Sequence, residues 1–372
     1  MLLKSDGFAS NLSDPQSSLT LQRYCAEHSI SYHDKAFPVT LETFTAYGIA
    51  FQKSMVPEVE EKNVVLIERA KDGFSLRLDD GENLTCRRVL LAVGITHFAY
   101  VPPELRTLPQ EFLTHSSAHN SIEGFDGREM TIIGGGASAI DLAALAAESG
   151  ASTTIIARRS ALKFHAPPNP NARSIWNRLR HPESGIGPGL RSRFFTSHPE
   201  LFYFLPQKLR LYFVRRHLGP AAGWSMKPRV LGKVKSLLGQ TIRSAELSNN
   251  KVRLTLAGSD GVKIEHSTDH VIAATGYQVD LHRLTFLDGS LRQEIRTFEK
   301  SPVLSPSCES TVPGLYFVGL AAANSFGPLL RFAFGAEFAA RRISGHIAKK
   351  VPVSAVDSIP EASYDPKVPS AL

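Results

Sequence analysis

Three features of the sequence predict an α/β fold made of two related units, the second carrying a helical insert. A buried-type strand, Met130-Thr131-Ile132-Ile133, runs into Gly134-Gly135-Gly136 and then into an Ala-rich helical segment at 137–149. With a second apolar strand at 153–157 this makes a βαβ unit. A degenerate repeat then places a three-stranded meander and one buried strand ending in glycine at 63–94, and again at 241–276. The same order of elements in two places predicts two copies of one architecture. A last strand, small-residue loop and helix over 312–347 closes the pattern.

The elements follow in chain order. About sixty residues precede the first meander: a Pro- and Ser-rich loop, a helix near 19–28 and a helix near 41–54. No glycine-rich strand-to-helix turn occurs there, so the repeat places the front half of the first unit upstream of Met1. The first meander is expected at 64–67, 74–78 and 84–86, with Asp-Gly turns between its strands, feeding the buried strand 89–93 and Gly94. The second is expected at 242–247, 252–257 and 262–265, feeding 270–275 and Gly276. Between the βαβ unit and the second meander lies the insert, 163–235, read as amphipathic helices with cationic faces. The Pro- and Ser-rich end, 351–372, reads as a flexible tail. The expected division is a first unit from 1–114 and 283–350, and a second from 115–282.

Composition narrows the function. At 42% hydrophobic and 21% charged residues, the chain has the mix of a globular enzyme, which excludes disordered, collagenous and coiled-coil classes. Cys25, Cys86 and Cys308 stand far apart. That argues against a disulfide scaffold, a zinc ribbon or a dithiol reductase and for a reducing, cytoplasmic setting. Lys4 and Asp6 interrupt any secretory pattern at the start. The apolar run 317–340 contains Arg331, Glu337 and several glycines, so a buried loop and helix is expected there rather than a membrane span.

The net charge of +7 is unevenly placed. Residues 158–235 hold sixteen Lys or Arg against two acids, Glu183 and Glu200, and the remainder of the chain is acidic. Such a module asks for an anionic partner. With ten aromatics in the insert, a lid over a hydrophobic substrate is the simplest expectation. A membrane-surface or partner contact comes next, and nucleic acid last.

The motifs name the chemistry. Gly134-x-Gly136-x-x-Ala139 stands between a strand and a helix, where Gly134 permits the tight turn and Gly136 lets N–H groups approach a pyrophosphate. Ser138 falls in the first helical turn, and Ala139 permits close helix–strand packing. The following strand ends in Arg158-Arg159, where an NAD site would carry a carboxylate. Two guanidiniums there suit a ribose 2′-phosphate, so the expected nucleotide is NADPH. Gly94 and Gly276 end the two repeats and let the backbone turn beside whatever lies over the strand ends. Gly319, followed by a small-residue loop with Asn324 and Ser325 and by Gly327-Pro328, is expected to open a helix toward a ring carbonyl or phosphate. His165, His181, His198 and His217 lack metal-ligand spacing, and no metal is expected.

Gly134 to Asp141, the Ala-Thr-Gly-Tyr at 274–277 with Asp280 behind it, His115-Ser116-Ser117 and the Gly-Leu-Tyr-Phe-Val-Gly at 314–319 together carry a resemblance. Over about 1–350 the chain resembles the FAD- and NADPH-dependent flavoprotein monooxygenases: the flavin-containing monooxygenases, the lysine and ornithine N-hydroxylases and the Baeyer–Villiger enzymes. A bacterial branch with urate hydroxylase-like proteins is the most similar. The resemblance implies FAD alongside NADPH, and oxygen transfer through a C4a-peroxyflavin to a small organic substrate, with the cofactor carrying most of the chemistry. It implies no general acid or base. It places Gly94, Gly319, Asn324 and Ser325 near the flavin, and Lys4, Ser5 and Asn11 on the substrate side. Two departures stand out: the family's N-terminal GxGxxG unit for FAD is not in this sequence, and Leu320 follows Gly319 where an acid is frequent. The competing expectation is therefore a non-catalytic NADPH-binding protein, or one part of a split flavoprotein.

Overall fold

The computed structural model describes residues 3, 5–35, 39–119, 121–122, 124–167, 180–219 and 221–350. Lys4 and the expected tail, 351–372, lie outside them. The chain opens with a 3-10 turn, Gly7–Ser10, and two helices, α1 (Leu21–Glu27) and α2 (Leu41–Met55). Thr20 and Thr40 cap these helices, their hydroxyls accepting from the N–H groups of Arg23 and Thr43. Tyr47 is fully buried between them. Its hydroxyl accepts from the Leu12 N–H (3.1 Å) and donates to the Leu19 carbonyl (2.8 Å). Tyr47→Phe leaves both backbone groups unpaired in a buried site, and is expected to lower unfolding stability by about 1–3 kcal/mol in urea titration.

The first meander is β1 (Val64–Ala70), β2 (Gly73–Leu78) and β3 (Asn83–Cys86), all antiparallel, leading into β4 (Val89–Leu91). The middle of the chain then builds one all-parallel sheet. Its members are β5 (Leu113–His115), β6 (Glu129–Ile133) with α3 (Ala137–Glu148), and β7 (Ser152–Ala157). Among the described residues, four α-helices follow: α4 (Leu190–Ser197), α5 (Pro199–Tyr203), α6 (Gln207–Arg216) and α7 (Lys227–Val230). Then come β8 (Lys235–Leu238), the second meander β9 (Thr241–Ser248), β10 (Lys251–Ala257) and β11 (Lys263–Thr268), and β12 (His270–Ala273). The sheet order is β5-β12-β6-β7-β8. The apolar face of α3, through Ile140, Leu142 and Ala143, covers one side, and the meander, through Val252, Leu254 and Leu256, covers the other. Burial on both faces is why β6, β7 and β12 read as continuous apolar runs.

The last part holds α8 (Gly289–Glu294), the hairpin β13 (Thr297–Phe298) and β14 (Ser301–Pro302), then β15 (Leu315–Phe317), α9 (Ala323–Phe326) and α10 (Ala336–Lys350). β15 pairs in parallel with β4, Leu315 opposite Val89 and Phe317 opposite Leu91. The chain is thus a mixed α/β protein with a Rossmann-like parallel sheet.

Two expectations need correction, and two further features have no counterpart in the sequence pattern. The helix after Gly327-Pro328 does not start there: two 3-10 turns intervene, and α10 begins at Ala336. Gly335 sits so tightly that an added Cβ would lie 2.5 Å from the Leu329 carbonyl oxygen, which forces the turn. The strand at 89–93 is shorter than expected, and Leu90 is 49% exposed, because β4 sits in a two-stranded ladder instead of inside a full sheet. Strand β8 begins at the last residue of the basic segment, and a four-residue edge strand of sequence Lys-Ser-Leu-Leu carries no clear period. Lastly, the aromatic helices of the insert do not pack on the five-stranded sheet. Phe195 and Phe202 join the core built by Leu291, Tyr316, Phe326 and Leu329.

Candidate cofactor site

The C-terminal ends of β12, β6 and β7 converge, and the glycine turn is built at their edge. Gly134 donates its N–H to the Ile156 carbonyl (2.9 Å) and has φ +140°. A Cβ there would lie 2.3 Å from the Ala274 carbonyl oxygen and 3.5 Å from the Ala139 Cβ. One atom's width therefore separates β6, β12 and the first turn of α3, and only glycine fits. Gly136 is extended and forms the N-cap of α3 without side-chain capping, so the first N–H groups of that helix are not taken by a cap. Ala139 is fully buried and Ser138 is exposed on the same turn.

The two arginines separate. A Cβ on Gly135 would touch the Arg159 Cδ at 3.0 Å and the Ala157 Cβ at 3.2 Å, so the half-buried Arg159 side chain lies along the glycine turn. Arg158 is exposed. The Arg159 carbonyl accepts from the Gly239 N–H (2.9 Å), which ties this strand end to the loop after β8. No residue-by-residue sequence argument distinguished the two arginines; the alternation at the end of β7 does.

The segments 98–100 and 275–283 lie side by side. Tyr100 donates to the Gly276 carbonyl (2.9 Å), and Gln278 donates to the Phe98 carbonyl (2.8 Å). The Thr275 hydroxyl donates to the Tyr100 carbonyl, and Arg283 donates to that of Ala99. His115 adds a third clamp: its Nε2 donates to the Gly276 carbonyl (3.1 Å), while Nδ1 accepts from the Ser117 N–H (3.1 Å). Its ring stands edge-on to Tyr277, 5.3 Å between centroids. Burial holds the ring below the ordinary histidine pKa, the Gly276 bond opposes this, and Arg283 adds to it.

His119, His217, His266 and His270 are depressed in the same way, burial being the first cause in each. Five histidines whose folded pKa lies below the ordinary value bind protons more readily once the chain unfolds. Their contribution is intact above the ordinary value of about 6.5 and is lost as pH falls from there through the lower folded values. The urea midpoint is expected to drop between pH 7 and pH 5, and the drop should shrink in His115→Asn.

At the first ladder, Gly94 (φ +65°) and Gly319 (φ +61°) leave β4 and β15 side by side, with no atom within 4 Å of either Cβ position. Asn324 is tethered through Nδ2 to the Ser301 hydroxyl (2.8 Å). Ser325 is buried, and its carbonyl accepts from the buried Arg210 (3.3 Å). In the opening loop, the Asn11 side chain is taken up by nearby backbone: Oδ1 accepts from the Leu21 N–H (2.8 Å) and Nδ2 donates to the Phe8 carbonyl (3.2 Å). Ser5 bonds Ser10. These side chains hold the opening loop, which the sequence alone did not reveal. Among the described residues no group of three or more His, Cys, Asp or Glu could hold a metal ion.

The structure thus brings Gly134, Gly136, Ala139, Arg159 and Gly276 to one sheet end, and Gly94 with Gly319 to another. The first set fits a dinucleotide phosphate: a glycine-only cradle, an uncapped helix N-terminus and a guanidinium beside it. The second leaves open room over two parallel strand ends. Among the described residues no glycine-rich strand-to-helix turn accompanies the β4–β15 ladder.

Comparison with known proteins agrees with this geometry. Residues 41–181 match the family described as pyridine nucleotide-disulphide oxidoreductase. The ferredoxin–NADP reductase of Streptococcus pyogenes serotype M5 (strain Manfredo) is 30% identical over 108 residues, 28% of this chain and 32% of that protein. The chain thus matches about a third of the length of such curated relatives. Among solved structures, the ornithine hydroxylase of Pseudomonas aeruginosa superposes with a TM-score of 0.72 at 18% identity, over 93% of this chain and 86% of that one. The ornithine N-hydroxylase of Kutzneria sp. 744, in a form with reduced FAD, NADP+ and L-ornithine, gives 0.69 at 15% identity, over 91% and 84%. The flavin-containing monooxygenase of Stenotrophomonas maltophilia gives 0.59 at 16%, over 94% and 86%. The chain has the fold of these flavoprotein monooxygenases, the class its motifs resemble.

Proposed function

We propose that this chain is an NADPH-dependent FAD monooxygenase acting on a small organic substrate. The observation that carries the reading is Arg159 lying along the Gly134-Gly135-Gly136 turn. The uncapped N-terminus of α3 would take the pyrophosphate, and the Arg159 guanidinium the 2′-phosphate. The open strand ends at Gly94 and Gly319 would face the flavin, with the Asn324 loop beside it. Bound flavin would supply hydride acceptance and activation of dioxygen; the protein would orient both cofactors and exclude water.

Cysteine chemistry favours a monooxygenase over a disulfide reductase. All three cysteines are free, and Cys25 and Cys308 are buried. Burial raises the thiol pKa of each, that of Cys308 to about 12, so none is poised as a thiolate. Electrons from NADPH would therefore leave for an acceptor other than a protein dithiol. No helix of the described residues is long and apolar enough to cross a membrane.

Oxygen-electrode assays with FAD and NADPH, across a panel of primary amines and ketones, test the reading. It expects dioxygen uptake that NADPH supports and NADH does not, raised by at least one compound that is recovered oxygenated. NADPH oxidation that only artificial dyes can accept, with no oxygenated product, would contradict it.

A further inference from the structure

We propose that the outer face of α4–α6 docks this protein on an anionic lipid surface. The inner faces of the three helices are fixed. The rings of Phe195, Phe202 and Phe213 meet with centroids 5.3–6.3 Å apart. Phe202 also lies against Gly327, where an added Cβ would come within 3.1 Å of its ring. Helices pinned this way cannot rotate to hide their other side.

That other side is apolar where a solvent face should be polar. Leu190 is 65% exposed, Leu201 51% and Phe204 75%, with Phe194, Leu209 and Tyr212 also exposed. These are six of the twenty large apolar side chains exposed among the described residues, gathered into one stretch of 23 residues, so scattered surface hydrophobes do not account for them. Arg191, Arg193, Lys208 and Arg216 are exposed between them. Three acids lie nearby, and none of them is in an ion pair with these four cations: Glu183 pairs with Lys35, Glu200 lies 3.6 Å from His198, and Glu299 pairs with Arg215.

Apolar tips set among cations fit the boundary between lipid headgroups and acyl chains. The tips enter the apolar layer, and the arginines and lysine stay with the phosphates. A nucleic acid would use the cations but gain nothing from Leu190, Leu201 and Leu209, which cannot stack on bases. The four exposed cations Arg191, Arg193, Lys208 and Arg216 supply the charge complementarity.

Co-sedimentation of the full chain with vesicles tests this. The proposal expects negligible binding to phosphatidylcholine alone. With a third of the lipid replaced by phosphatidylglycerol, the partition coefficient should rise at least about tenfold, then fall steeply toward 1 M salt as the Debye length shrinks. The double variant Leu201→Asp with Phe204→Asp should lose at least about tenfold of that partition, with melting temperature and NADPH binding unchanged, since both sites are exposed. No binding to anionic vesicles, or binding the double variant retains in full, overturns the proposal. So does a wild-type dimer that the double variant turns into a monomer, because a second copy would then cover the face. Equally tight, salt-sensitive binding to duplex DNA that ignores the Leu201 and Phe204 changes overturns it in favour of a nucleic acid.

Discussion

Replacing Arg159 with Ala is expected to raise the KM for NADPH by about 10–100-fold while leaving that for NADH within about twofold. The Arg159 side chain lies against Gly135 at the end of β7, where a dinucleotide's adenosine ribose would sit. A charge-assisted bond to a phosphate is worth about 1.5–3 kcal/mol, and 1.4 kcal/mol is tenfold in affinity. NADH has no 2′-phosphate, so it has nothing to lose at this position. Arg158→Ala serves as the neighbouring control, because that residue is exposed and its effect should stay below about threefold. A loss of NADH and NADPH use in equal measure would show that Arg159 only supports the fold. Arg159→Lys should recover part of the preference, since it keeps the charge but not the fork of donors.

Gly134→Val is expected to cost roughly 3–5 kcal/mol of stability and to abolish nucleotide binding. Two independent effects add. The residue has φ +140°, which side-chain-bearing residues rarely adopt, and its Cβ position is 2.3 Å from the Ala274 carbonyl oxygen. That oxygen belongs to the main chain just after β12, so it cannot swing away as a side chain would. β6 and β12 must part, and the turn that would hold the pyrophosphate opens with them. Gly81→Ala is the contrasting control, with φ +89° but open space around its Cβ position. There only the backbone strain of about 1–2 kcal/mol should appear. Urea midpoints for the two variants separate the steric effect from the conformational one.

The repeat was legible because each copy obeys local rules. Asp-Gly and Asn-Asn turns sit between period-two strands, and the strands that follow carry unbroken apolar runs, which in β12 are covered on both faces. The βαβ unit was legible for the same reason, and its glycines had one physical use. The aromatic helices were harder. Phe195 and Phe202 look like any insert residues in sequence, and only the tertiary structure shows them joining the core around Phe326 and Tyr316. The choice between Arg158 and Arg159 and the loop-holding role of Asn11 both depend on where a neighbouring backbone passes. The His115 clamp is a further case: its partner, the Gly276 carbonyl, is 161 residues away along the chain. Leu90 misled for a different reason, since an apolar strand residue reads as buried whether or not a neighbouring layer covers it.

If this chain positions NADPH beside a flavin, electrons pass from one to the other on the protein. The visible absorption spectrum of the purified protein, with and without added FAD and then with NADPH under argon, tests it most directly. Flavin bands are expected that stay with the protein through gel filtration, bleach with NADPH far faster than with NADH, and return when air is admitted. Protein that binds NADPH but retains no flavin at any FAD concentration would contradict it, and would leave a nucleotide-binding protein without the chemistry proposed.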